Sequence, residues 1–195
     1  DLTILAEHIS EGGFKQLSYQ QEPNQIIWCA RNDGQLAGLT YQREQQVVAW
    51  HRHIFGGSFG SGNAVCDSVA TIPTDDSEYQ TWVIVKRTIN GATKRYIEYI
   101  HEYDFDETDD TSFNFLDSQL SYDGSAASTI SGLAHLEGQT VSILANGAAH
   151  PNKVVSSGEV ILERSATKVK IGLPYTSLLQ TMRIDAGSQN GKIGR

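Results

Sequence analysis

Turn dipeptides set the strongest constraint on how this chain can fold. Asn32-Asp33-Gly34, Asn90-Gly91 and Asn146-Gly147 each stand between runs rich in β-branched and aromatic residues. Asn, Asp and Gly accept positive φ at low cost, and a two-residue turn of that type closes an antiparallel hairpin. From residue 26 onward this punctuation leaves little room for an amphipathic helix of ordinary length. Segments 26–31, 36–41, 47–55, 64–72, 81–89 and 94–103 therefore read as strands of an antiparallel meander, each beside its neighbour in the chain. Helix is expected only in short turns or near residues 2–9. There Leu2, Leu5, Ala6 and Ile9 fall at helical spacing, and Gly12-Gly13 follows as a stop.

The sharpest break in composition is Asp104-Phe105-Asp106-Glu107-Thr108-Asp109-Asp110, where five of seven residues are acids. Dense like charge disfavours burial, so a boundary is placed near residue 105. Residues 1–105 form the first unit, a β-meander with a short N-terminal helix. Trp28 to Tyr41 and Trp82 to Tyr99 form a weak internal echo, as successive propeller blades would, and an ordinary antiparallel sheet accounts for it equally well. Residues 106–180 form a second β region, richer in Ser, Ala and Gly, with turns expected at Tyr122-Asp123-Gly124, Asn146-Gly147 and Ser157-Gly158. Its short runs at 160–162 and 169–171 predict a small β-barrel or sandwich. Residues 181–195 read as a polar segment. Asp1 stands where an initiator Met would, and the tail is Gly-rich; both ends read as cuts in a longer polypeptide.

Charge narrows the function. The 195 residues carry 23 acids and 15 bases, a formal net charge of −8. A nucleic-acid clamp needs a basic stripe that displaces counterions, and none is present. No apolar run approaches the ~20 residues of a membrane-spanning helix, so no membrane anchor is expected.

Residue constellations point away from catalysis. His51 and His53 lie two apart on a strand, so both rings share one face. A zinc site needs at least one more ligand at suitable spacing, and none follows; partly buried structural histidines are expected instead. Asp104-x-Asp106 matches the start of a calcium loop but lacks the following Gly and distal Glu. No G-x-S-x-G, H-E-x-x-H or P-loop pattern occurs. Cys29 and Cys66 lie in apolar strand-like runs, where free thiols act as small hydrophobes; their pairing is left open. Catalytic, cofactor-binding and metal residues are each expected to be none, and no cofactor is implied.

Four stretches read together carry a family resemblance. They are Asp1-Leu2-Thr3-Ile4-Leu5-Ala6-Glu7-His8; Trp28-Cys29-Ala30-Arg31-Asn32-Asp33-Gly34-Gln35-Leu36 running to Leu39-Thr40-Tyr41; Glu44-Gln45-Gln46-Val47-Val48-Ala49-Trp50-His51-Arg52-His53; and Arg87-Thr88-Ile89-Asn90-Gly91 with Arg95-Tyr96-Ile97-Glu98. Later, Leu116-Asp117, Leu120-Ser121-Tyr122-Asp123-Gly124, Gly132-Leu133-Ala134-His135-Leu136-Glu137-Gly138 and Gly172-Leu173-Pro174-Tyr175 continue it. In this order they resemble the tail nozzle proteins of short-tailed bacteriophages and prophages, also called tail tubular protein B. The resemblance implies a virion structural protein made in the host cytoplasm, with propeller-like β platforms and inserted small β domains. It further implies a homo-oligomeric ring, contact with other tail proteins, and transient passage of DNA without specific binding. It brings no catalytic residue; His51, Arg52, His53 and Glu98 are assigned to structure or subunit contact. The contrasting expectation is a tail-associated carbohydrate-acting hydrolase or a host-receptor-binding module.

Overall fold

The computed structural model describes residues 2–4, 6–75, 78–101, 113–179 and 181. About 62% of the chain is strand and 4% helix, so the all-β class holds. Helix α1 is a single turn, Glu7–Ser10, followed by β1 (Phe14–Gln20), β2 (Ile26–Arg31), β3 (Leu36–Gln42) and β4 (Val47–His53). These four strands pair in sequence order as one antiparallel meander. A small hairpin, β5 (Ser58–Phe59) and β6 (Gly62–Asn63), occupies the glycine-rich connection. A second meander follows, made of β7 (Val65–Pro73), β8 (Tyr79–Ile89) and β9 (Ala92–Tyr99). The expected acidic linker 104–110, and with it the boundary near residue 105, lies outside the described residues.

The third sheet comprises β10 (Asp117–Ser131), β11 (Thr140–Ala145), β12 (Ala148–Val154) and β13 (Glu159–Leu173), ordered β10-β13-β11-β12. Here the expectation is corrected in two ways. The described residues form an open four-stranded sheet and no closed barrel. Tyr122-Asp123-Gly124 is no turn: it runs through the long strand β10, where irregular register between Asp123 and Ala127 absorbs the glycine. The runs at 160–162 and 169–171 are likewise two parts of one strand, β13.

Three apolar clusters hold these layers. One gathers Trp28, Ala30, Leu36, Phe55, Cys66, Val69, Val83 and Val85, and packs the first meander face to face on the second. Another, on the opposite face of the first meander, joins Ala6 and Ile9 to Cys29 and Ala37. The third lies wholly within residues 130–173, among them Leu133, Leu136, Val141, Val169 and Ile171. At roughly 25 cal/mol per Å² of buried apolar surface, such clusters supply the dominant folding term.

Polar bonds reinforce the first interface. On β1 it is Gln16, Ser18 and Gln20 that point inward. Gln16 Oε1 accepts from Ser68 Oγ (2.9 Å) and the Val69 amide (3.2 Å). Ser18 Oγ donates to Thr71 Oγ1 (2.7 Å). Gln20 Oε1 accepts from both Trp28 Nε1 (3.0 Å) and Thr81 Oγ1 (2.9 Å). A strand with polar residues inside thus ties two sheets together, since each buried polar atom finds a partner.

Candidate functional site

The histidines expected to share a face do so, at the end of β4 against Trp28. His51 Nδ1 and His53 Nε2 lie 2.7 Å apart, and His51 Nε2 lies 3.3 Å from Thr40 Oγ1. A bond between two imidazoles needs one nitrogen to donate and the other to accept, so the pair cannot hold protons on both. Burial agrees with this: it lowers the His51 pKa, and it carries that of His53, with help from a His51 charge, down to about 4. The Trp28 ring sits 5.8 Å from His51 and 5.1 Å from His53. Room for His51 comes from Gly38, its cross-strand partner. A Cβ on Gly38 would fall 2.1 Å from His51 Cε1.

Two expected results follow from this cluster. Gly38→Ala drives the imidazole off its seat and costs about 1–3 kcal/mol by urea unfolding. Adding His51→Ala recovers part of that loss, a non-additivity that a double-mutant cycle reads directly. The second result concerns pH. Both histidines titrate lower when folded than at the unfolded value of 6.5, so protons bind preferentially to the unfolded chain. Their contribution is complete above pH 6.5 and is lost as the pH falls toward about 4. Across that window the His51→Gln/His53→Gln protein shows a flatter stability profile than the wild type in urea titrations.

The second polar centre sits where the two β regions meet. Arg87 on β8 is fully buried. Its guanidinium grips Glu98 of β9 through both carboxylate oxygens, and its Nε donates to the Gly56 carbonyl at 2.8 Å. The Gly56 amide in turn donates to Asp117 Oδ2 at 2.5 Å. Asp117 opens β10 and pairs with Leu173 at the close of β13. The Pro174 carbonyl lies 2.8 Å from where a Gly56 Cβ would stand. The chain therefore enters and leaves the third sheet beside one glycine, which is held by one buried arginine. Burial raises the Asp117 pKa, against the pull of the Gly56 amide and the Arg87 charge. A second tether joins the same regions: Tyr96 Oη donates to the His135 carbonyl (3.0 Å).

Neither centre lines the groove of about 470 Å³ that lies between the N-terminal segment and β4. Leu2, Ile4, Ile9, Val48 and Trp50 line it, and among the described residues His8 is its one titratable lining group. Cys29 and Cys66 are free and buried. They belong to separate clusters on opposite faces of the first meander, and burial pushes both thiols up to about 11, far from a reactive thiolate. Among the described residues, no group of three His, Cys, Asp or Glu could hold a metal ion. A chelator is expected to leave the melting temperature unchanged, as a differential scan before and after dialysis checks.

No protein-family model matches the chain, and no curated protein matches it. The functional reading rests on the residues themselves. The sequence places His51 beside His53 on one face and Arg87 in the same stretch as Glu98, without showing that each pair is in contact. Gly56 and Asp117 also stand in recognisable stretches, but the bond between them arises only when distant segments meet.

Proposed function

We propose that this chain is a non-catalytic structural part of a phage or prophage tail nozzle, contributing to the channel through which DNA leaves the virion. One observation carries the reading. Five charged or aromatic residues of the nozzle-like stretches — Trp28, His51, His53, Arg87 and Glu98 — act as internal ties between packed strands. Catalytic groups must reach a substrate; these reach one another. Their burial suits a part that bears load and is not consumed in chemistry. Net acidity agrees with DNA passing by without being retained, since phosphates are repelled by like charge. Successive face-packed meanders agree with a propeller-like platform, and the third sheet, with an apolar cluster of its own, with an inserted domain.

In this reading the full-length protein closes into a homo-oligomeric ring against other tail proteins. Sedimentation tests it: the full-length protein forms a larger closed species, while the 195-residue chain by itself runs with a monomer-like mass. Obligate ring interfaces usually bury more than ~2,000 Å². A full-length protein that stays monomeric at high concentration defeats the ring.

A second reading, a receptor- or glycan-binding module, has one observation in its favour. The outer face of the second meander carries Trp82 and Tyr99 with ring centroids 5.3 Å apart, beside Ile97, which is 72% exposed. Aromatic faces of this kind stack on apolar ligand surfaces. Retention on a glycan array, lost in Trp82→Ala, supports it; depolymerisation of a surface glycan supports the hydrolase variant.

A further inference from the structure

Two hairpins of this protein turn on the same dipeptide with nearly the same backbone. Asn90 and Gly91 have φ of +48° and +72°, and Asn146 and Gly147 have +49° and +76°. Each pair is a two-residue loop, closing Ile89 on Ala92 and Ala145 on Ala148. Their surroundings differ. Asn146 Oδ1 accepts three hydrogen bonds from β13: the Thr167 amide (3.0 Å), Thr167 Oγ1 (3.1 Å) and the Lys168 amide (3.0 Å). The Asn146 amide also donates to the Lys168 carbonyl at 2.8 Å. Asn90 is exposed, and among the described residues nothing hydrogen-bonds its side chain. A Cβ built on Gly91 meets no atom within 4 Å, so this tip stands in open solvent.

We infer that Asn90 is a site of spontaneous deamidation, and that β13 protects Asn146 from the same reaction. The Gly91 backbone nitrogen gives its proton to solvent and attacks Asn90 Cγ. A new C–N bond closes a five-membered succinimide while the bond to the side-chain nitrogen breaks and ammonia leaves. Water then adds to either ring carbonyl and opens the ring to aspartate or isoaspartate. Solvent water is the sole co-reactant, and no electrons change hands. Glycine at the attacking position presents no side chain to shield its nitrogen. Attack also requires the backbone to rotate out of the tight turn. At Asn90 only a hairpin tip must open; at Asn146 four further hydrogen bonds to β13 must break first. With each such bond worth roughly a factor of two to ten, Asn146 reacts at least about tenfold more slowly.

The product matters to the fold because isoaspartate adds a backbone carbon to the turn. That turn's two-residue length sets the β8–β9 register, which places Glu98 on the same face as Arg87. Ageing at Asn90 therefore loosens the hairpin that carries the buried ion pair.

The folded protein, kept in mildly alkaline buffer and sampled over weeks, tests this by peptide mapping with an isoaspartate-sensitive readout. Aspartate and isoaspartate accumulate at position 90, with position 146 lagging at least about tenfold. In concentrated urea the two rates converge, because the protection belongs to the fold. Asn190-Gly191 lies outside the described residues and is not used in the comparison. Equal rates at 90 and 146 in the folded protein, faster reaction at 146, or an intact Asn90 overturns the inference.

Discussion

Arg87→Met is expected to lower the unfolding free energy by about 3–5 kcal/mol, because it strips the partner from a buried carboxylate. Arg87 has no exposure at all, whereas the Glu98 side chain retains 17%. Partial access to water lets Glu98 recover some solvation, which places the effect toward the lower end of that range. The Gly56 carbonyl also loses its donor, and an unmade buried hydrogen bond costs a further ~1–3 kcal/mol where water cannot reach. Arg87→Met with Glu98→Leu is the informative companion. Buried ion pairs replaced whole by apolar groups are often neutral, so the double variant should regain most of the loss. Urea unfolding with linear extrapolation measures both, with the m-value showing whether compactness changed. A single variant within 1 kcal/mol of wild type would mean that Arg87 is not the tie that the geometry describes.

Ile171→Ala is expected to cost about 2–5 kcal/mol, and the loss should fall on the third sheet. Ile171 is fully buried and stands on the inner strand β13, opposite both Leu120 and Ile143. Its cluster contains no residue of the first two meanders. Hydrogen exchange should therefore lose protection across β10 to β13 first, while β1 to β4 keep theirs. Equal loss of protection in β1 to β4 would make the whole chain one cooperative unit, contrary to a division of the protein into two β units.

The β-rich class and the hairpin at Asn90-Gly91 were legible because turn chemistry is local. That turn even determines which residues share a face: with Arg87 opposite Lys94 and Val83 opposite Glu98, Arg87 and Glu98 must look the same way. What the pattern could not decide was which face is buried, since Trp82 and Ile84 alternate with Val83 and Val85. Strand β1 escaped notice for the reverse reason. Its outward residues Leu17 and Tyr19 are 61% and 51% exposed, while Gln16, Ser18 and Gln20 face inward to make hydrogen bonds. An alternation read as apolar-inside gives the wrong face here, because tertiary hydrogen bonds take the place of apolar packing. At Tyr122-Asp123-Gly124 a turn signal was overridden by pairing: β10 makes its contacts along a fifteen-residue partner of equal length. The seat of His51 on Gly38 likewise depends on a register that neither residue announces alone.

The central claim is that these buried ties serve a tail part of a virion. Electron microscopy of purified phage particles labelled with an antibody raised against this chain tests it most directly. Label gathered at the tail, in a ring around its axis, is the predicted result. Particles that lack the label while the antibody finds the protein elsewhere in the lysate, or label confined to slender receptor-binding fibres, would contradict the nozzle reading.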